Sequence, residues 1–244
     1  MLYKDEAVVL RTMRLGEADR IVTFLGRAEG KIKAVAKGVR KTKSRFGGRL
    51  EPFSQVSLVL WRGKSGLDTV TQVSVVEPFR KIREDLNRFS LGEVMLEACD
   101  RVSQEAEQSA RPFRLLIDSL HELTASDSPA VLAGYLLKLS AMAGFAPMLE
   151  QCAECGAAPI WFSPAAGGAV CSSCRNGDSA RAGADLLHFM AGLARPRALG
   201  PGRIPEVLTD DPSLAPRALR LSRSYAEYHL ERRLKAAAVA DRVN

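Results

Sequence analysis

The 244-residue sequence has little cysteine (5 residues), little histidine (3) and few aromatic residues (6%). So few cysteines exclude a disulfide scaffold. The absence of any apolar run of about 18 residues or more leaves no candidate for a membrane-spanning helix. The start, Met1-Leu2-Tyr3-Lys4-Asp5-Glu6, carries two acids where a secretory leader would begin its apolar stretch. The expectation is a soluble cytoplasmic protein with no membrane partner. Catalytic constellations are missing too. His121, His188 and His229 are scattered over helical segments with no adjacent nucleophile pattern, and no paired carboxylates resemble a two-metal nuclease site. Gly63-Lys64-Ser65 resembles the end of a phosphate-binding loop, but the required earlier glycine falls at Leu58. The chain reads as a non-enzyme. No internal repeat or low-complexity tract is present.

What is present is an ordinary globular composition, 46% hydrophobic and 26% charged, enough for one large domain or two small ones with a metal-sized module. The net charge of +7 is unevenly placed. Met1 to Lys81 carry 17 lysines and arginines against 8 acids, and the remainder 18 against 20, so the whole excess is N-terminal. Basic charge concentrated in one module points to a polyanion partner.

The first eighty residues read as strands. Ala7-Val8-Val9-Leu10 is a short apolar run, Arg20 to Leu25 is rich in β-branched and aromatic residues, and Lys31 to Lys37 alternates so that Ile32, Ala34 and Ala36 share one face. Gln55 to Arg62 and Leu67 to Val76 form a hairpin around Gly63-Lys64-Ser65-Gly66. Five short strands suggest a small closed barrel of the oligonucleotide-binding type, although a small sandwich fits the count equally well. After Glu77-Pro78 the apolar period becomes helical: Ile82 to Ala98, Phe113 to Leu120 after Pro112, and Val131 to Leu139 after Pro129. Asp185 to Ala194 is a further short helix, Arg195 to Pro216 a Pro- and Gly-rich loop, and Leu219 to Val239 a closing helix. The fold class expected is α+β and multidomain: residues 1–80 an oligonucleotide-binding (OB) barrel, 81–149 and 178–244 two parts of one helical domain, and 150–177 an inserted metal module.

Two motifs carry chemistry. Cys152, Cys155, Cys171 and Cys174 are spaced C-x2-C-x15-C-x2-C, in which two tight turns each present two thiolates to one tetrahedral Zn²⁺ and the intervening residues form a hairpin. Four thiolates close the coordination sphere, so the zinc is structural. Trp161 and Phe162 are placed to cover it, whereas Cys99 lies in a helical pattern as a small buried hydrophobe. The second motif is a basic run of Lys31, Lys33, Lys37, Arg40, Lys41, Lys43, Arg45 and Arg49, with no acid among residues 31–49. It starts on a strand face and continues into a glycine-bearing loop, so it can follow a phosphate backbone, with Phe46 and Trp61 as candidate stacking platforms. Arg20 is expected to pair with Asp19 or Glu17. Lys138, beside Leu137, Leu139 and Met142, is a candidate cation at the rim of an apolar groove.

Gly16-Glu17-Ala18-Asp19-Arg20-Ile21-Val22, Gly30 to Arg40, Ser44-Arg45-Phe46-Gly47-Gly48 and Leu50-Glu51-Pro52-Phe53 resemble the N-terminal signature of the bacterial RecO family of DNA repair proteins. Gly144-Phe145-Ala146-Pro147-Met148-Leu149, leading into Cys152-Ala153-Glu154-Cys155-Gly156, and Gly167-Gly168-Ala169-Val170-Cys171 resemble its helix-to-zinc junction, collinear over residues 1 to about 190. The resemblance implies an OB barrel, a helical domain and a four-cysteine zinc module. It also implies a cytoplasmic, nucleoid-associated recombination mediator that binds single- and double-stranded DNA and anneals complementary strands. Such a mediator acts with RecR, and sometimes RecF, to help RecA replace single-strand-binding protein. An RNA-binding or translation-associated barrel with a zinc ribbon is the rival reading, and a zinc-dependent enzyme a more distant one.

Overall fold

The computed structural model describes residues 1–41, 44, 46–63, 66–103, 110–195, 211–231 and 233–236. Five strands, β1 (Leu2–Leu15), β2 (Asp19–Gly26), β3 (Gly30–Ala36), β4 (Gln55–Trp61) and β5 (Asp68–Glu77), close into a barrel in the order β1-β2-β3-β5-β4. Closure is made by a short parallel contact between β3 and β5, where Ala34 pairs with Asp68 and Val35 with Thr69. A barrel, and not a sandwich, is therefore formed. β1 is far longer than its four-residue apolar run because it pairs with β4 through Leu2 to Val8 and with β2 from Ala7 to Leu15.

Strand alternation builds two cores. Ala7, Val9, Val22, Phe24, Ile32 and Ala34 fill the barrel, while Val8, Leu10 and Leu25 point outward and are buried against the helices. A strand buried on both faces reads as continuous apolar sequence, which is why Ala7 to Leu10 does not alternate. A register shift in the β1–β2 pairing falls between Val9 and Arg11, just past this doubly buried run. Phe46 and Leu50, at the 3₁₀ turn Gly47–Leu50, reach into the barrel core. Phe46 is only 1% exposed, so it packs the barrel and is unavailable for stacking on a base.

The helical body comprises α1 (Arg80–Glu84), α2 (Leu86–Val102), α3 (Ala110–Ala125), α4 (Pro129–Met142), α5 (Ala184–Ala194) and α6 (Leu214–His229). Asp85 divides the first helical stretch in two: it is extended, and its carboxylate caps α2 by accepting from the Arg88 backbone N–H at 2.9 Å. α4 starts at the Ser128 cap with Pro129 in its first turn, and every residue from Ala130 to Ser140 is buried. It is the central helix, packed by α2, α3, α5 and α6, and each fully buried leucine contributes about 2 kcal/mol. The last helix begins at Leu214, five residues earlier than the sequence pattern indicates, with Pro216 tolerated in its first turn. It ends at His229; residues 237–239 of the expected helix lie outside the described residues. Among the described residues no helix is long and apolar enough to cross a membrane.

Between α4 and α5 sits a small sheet of β6 (Trp161–Ser163), β7 (Gly168–Val170) and β8 (Ala180–Arg181), in the order β7-β6-β8. Phe162 faces the helical core, 5.7 Å from the Tyr225 ring of α6. Gly168 lets the sheet approach the chain before it: the Ala169 N–H donates to the Met148 carbonyl at 2.7 Å, and a Cβ on Gly168 would lie 2.1 Å from that oxygen.

Candidate metal centre and nucleic-acid interface

The two C-x2-C pairs come together at one end of this sheet. The sulfurs of Cys152, Cys155, Cys171 and Cys174 all lie within 4.8 Å of one another, and they form the one such metal-type cluster among the described residues. Backbone geometry supports each turn: the Gly156 N–H donates to the Cys152 carbonyl at 2.9 Å, and the Cys152 N–H to the Ala157 carbonyl at 2.9 Å. The hairpin between the pairs is formed by β6 and β7. Trp161 packs against the cluster from this hairpin, with the Arg175 guanidinium 4.7 Å from its ring centre. Phe162 points the other way, so only one of the two aromatics covers the sulfurs.

The thiols titrate unequally. Burial opposes ionisation of Cys152, but the backbone N–H groups of Cys155, Cys171 and Glu154 outweigh it and bring the group down to about 6. Hydrogen bonding to the sulfurs of Cys155 and Cys171 pushes Cys174 up to about 12. Four sulfurs this close cannot all ionise alone, whereas a cation among them removes the conflict. The cluster can hold a metal ion. Cys99 is unrelated: fully buried in α2, its thiol is raised to about 11 by burial.

The basic run is split by the fold. Lys37, Arg40 and Lys41 are exposed in the turn that follows β3. This turn is fastened to the β1–β2 turn: the Gly38 N–H donates to the Asp19 carboxylate at 2.7 Å, the Arg40 N–H to the Ala18 carbonyl at 3.0 Å, and the Arg40 guanidinium to the Gly16 carbonyl at 3.3 Å. The same barrel end presents Arg14, exposed and in register with Arg20 across the β1–β2 hairpin. Arg14 precedes the run by 17 positions, and no local pattern marks it. Arg49 is exposed and reaches the Phe46 carbonyl at 3.3 Å. Arg20 has a structural partner as expected, but the partner is Glu51 at 3.0 Å, because Asp19 is occupied by Gly38.

Lys31 is engaged elsewhere. Its ammonium lies 2.7 Å from the Asp100 carboxylate of α2, with its side chain 16% exposed, and Arg11 reaches the same carboxylate at 2.9 Å. Beside this contact a crevice of about 870 Å³ sets Glu93, Glu97 and Asp100 against Arg11, Lys31, Arg101 and Lys235, so the acids neutralise most of its cations. Lys33 is half-buried on the outer face of β3. Lys43 and Arg45 lie outside the described residues. Lys138 is also not where the sequence suggests: it is buried and donates to the Leu193 carbonyl, so α4 has no cationic rim at this point. Exposed apolar side chains lie farther on, at Met142, Phe145, Met148 and Tyr228, and elsewhere at Leu86, Phe89 and Ile160.

A five-stranded OB-like barrel with cations gathered at one end, joined to a helical body that carries a four-cysteine cluster, defines the architectural class. Two family models divide the chain accordingly: Recombination protein O N terminal matches residues 1–79, and Recombination protein O C terminal matches residues 83–238. The chain is 44% identical over 254 residues to the DNA repair protein RecO of Nocardioides sp. (strain ATCC BAA-499 / JS614), covering 99% of this chain and 100% of the relative. It is 40% identical over 247 residues to the DNA repair protein RecO of Frankia casuarinae (99% of each chain). It is 46% identical over 200 residues to that of Thermobifida fusca, covering 80% of this chain and 82% of the relative. The chain belongs to the RecO family, and the similarity runs on through α6, past the point at which the quoted motifs end.

Proposed function

We propose that this protein is a non-enzymatic, DNA-binding mediator of recombinational repair, which holds single- and double-stranded DNA by its phosphates and anneals complementary strands. The observation that carries the reading is the convergence of Arg14, Lys37, Arg40 and Lys41 on one barrel end, held there by the bonds from the turn after β3 to Gly16, Ala18 and Asp19. Family membership supports the repair role. Phosphate contacts carry no sequence information, and by neutralising charge they lower the repulsion between two strands so that pairing can begin. Lys33, Lys43, Arg45 and Arg49 belong to the same interface. Lys31 is left out of it, because Asp100 already neutralises it.

The metal is zinc and its role is structural. A tetrahedral ion with Zn–S of about 2.3 Å places sulfurs about 3.8 Å apart, and Cys155 and Cys171 are separated by 3.7 Å. Zinc would fix the β6–β7 hairpin, which in turn packs Phe162 against α6. The helical body is the protein-contact part, with RecR, in some systems RecF, and the acidic tail of single-strand-binding protein as partners and RecA served indirectly.

The test is the salt dependence of affinity for a labelled single strand. With about six phosphate contacts the slope of log affinity against log salt is near −4, and Lys37→Ala, Arg40→Ala and Lys41→Ala together flatten it by about 2. A slope near zero would overturn the reading. Equal affinity for RNA and DNA without annealing would favour the RNA-binding alternative.

A further inference from the structure

Trp61 closes β4 with its indole 52% exposed, an unusual placement for so large an apolar group in a small barrel. Register shows what surrounds it. Leu2 of β1 lies directly opposite on one side, 54% exposed. Thr69 of β5 lies opposite on the other side, and Thr69 in turn pairs with Val35 of β3. Leu60, Val70 and Ala34 point into the barrel, so by alternation Trp61, Thr69 and Val35 share the outer face. Two strand spacings, about 10 Å, separate the indole from Val35, and Val35 is flanked on the same face of its strand by Lys33 and Lys37.

The ground beside Trp61 is charged and largely paired. A cleft of about 190 Å³ between the β2–β3 and β4–β5 connections is lined by Lys31, Lys33 and Arg62, by Glu29 and Asp68, and by the backbone of Gly63 and Gly66. Its acids are already engaged: Asp68 accepts from the Tyr3 hydroxyl and, at 2.8 Å, from the Gly63 N–H, while Glu29 pairs with Arg62.

We infer that Trp61 is a base-stacking residue, and that a single strand crosses the outer face of β3, β5 and β4 with phosphates on Lys37 and Lys33 and a base on the indole, steadied by Leu2. The occupant is a strand with unpaired bases, because a duplex keeps its base faces stacked internally and offers this indole nothing. The inference deepens the proposed function and rests on it: the cations at the barrel end hold either form of DNA, and Trp61 adds preference for the unpaired form. It also leaves the pairing edge of the stacked base free, which annealing requires.

The experiment uses the full chain, with Trp61→Ala and Trp61→Phe against an oligo-dT strand and the matching dA·dT duplex. Stacking of one base predicts that Trp61→Ala weakens oligo-dT binding about 10-fold and changes duplex binding by less than about twofold, with Trp61→Phe retaining most of the single-strand affinity. Oligo-dT should quench indole fluorescence in the wild type, and Trp61→Phe should remove that quenching. Equal losses for both DNA forms, or no loss for either, would overturn the inference. The Lys37, Arg40 and Lys41 triple alanine variant separates the two levels. If it binds both forms as the wild type does, the phosphate-contact reading fails. If it weakens both while Trp61→Ala distinguishes neither, only the stacking inference fails.

Discussion

Replacing Asp100 by Asn tests whether the barrel is locked to the helical body by charge. Asp100 sits on α2 with its side chain 18% exposed and accepts from Lys31 of β3 and Arg11 of β1. Arg11 is 50% exposed, so its pair is worth less than about 1 kcal/mol. Lys31 is 16% exposed, and leaving its ammonium without a counter-charge costs about 1–3 kcal/mol; its bond to the Asp100 backbone carbonyl survives the substitution. The expected loss is about 2–3 kcal/mol for the two together. Burial pushes the Asp100 carboxyl up, but the bonds from Lys31 and Arg11 outweigh this and hold it below the ordinary carboxylate range. A lowered folded-state value means that the stabilisation is present above the unfolded value, about 3.9, and is lost as pH falls through the folded one. Urea denaturation of wild type and Asp100→Asn should therefore differ by the same amount at pH 7 and pH 5, with convergence only in stronger acid. A difference below about 0.5 kcal/mol, or one that shrinks between pH 7 and 5, would mean that Asp100 does not lock the barrel to α2 by charge. Lys31→Ala offers an independent arm, since it should leave the salt slope of DNA binding unchanged while Lys37→Ala flattens it by about 0.7.

Cys155 is exposed, so Cys155→Ser removes a ligand without removing packing; zinc content should fall from one per chain, and the module should become protease-sensitive, whereas retention of full zinc would contradict four-sulfur ligation. Lys138, brought down to about 8 by burial from an ordinary 10.5, binds fewer protons folded than unfolded between those values. Lys138→Met should therefore be more stable at pH 7 by about 1–3 kcal/mol, an advantage that shrinks as pH rises through this window, and a pH-independent advantage would count against it. In Gly92→Ala the added Cβ would lie 2.7 Å from the Phe53 ring and 3.2 Å from Ile82. Melting should drop by an amount equivalent to about 1–2 kcal/mol in spite of the gain in helix propensity, and an unchanged midpoint would mean that the helix–barrel seam is loose.

The parts legible in the sequence were those whose cause is local. Two C-x2-C turns bring sulfurs together whatever lies around them, and the alternation of Lys31 to Lys37 placed Ile32, Ala34 and Ala36 inside the barrel. Long-range partners were not legible. Nothing near Lys31 announces Asp100, 69 residues on, so one cation of the basic run was assigned to DNA when the fold spends it on α2. Phe46 looks like a stacking ring in a basic loop, but the 3₁₀ turn after it directs the side chain into the barrel. Lys138 follows a helical pattern whose polar face is covered by α5, a contact that periodicity cannot reveal. Arg14 was missed for the opposite reason, since only the β1–β2 hairpin brings it beside Arg40.

Annealing of complementary strands coated with single-strand-binding protein tests the central claim most directly, with the wild type compared against the Lys37, Arg40 and Lys41 triple alanine variant. The wild type should accelerate pairing well above the protein-free rate, and the triple variant, still carrying its full zinc, should fall most of the way back to it. A wild type no faster than the protein-free control, or a triple variant that anneals as fast as the wild type, would contradict that claim.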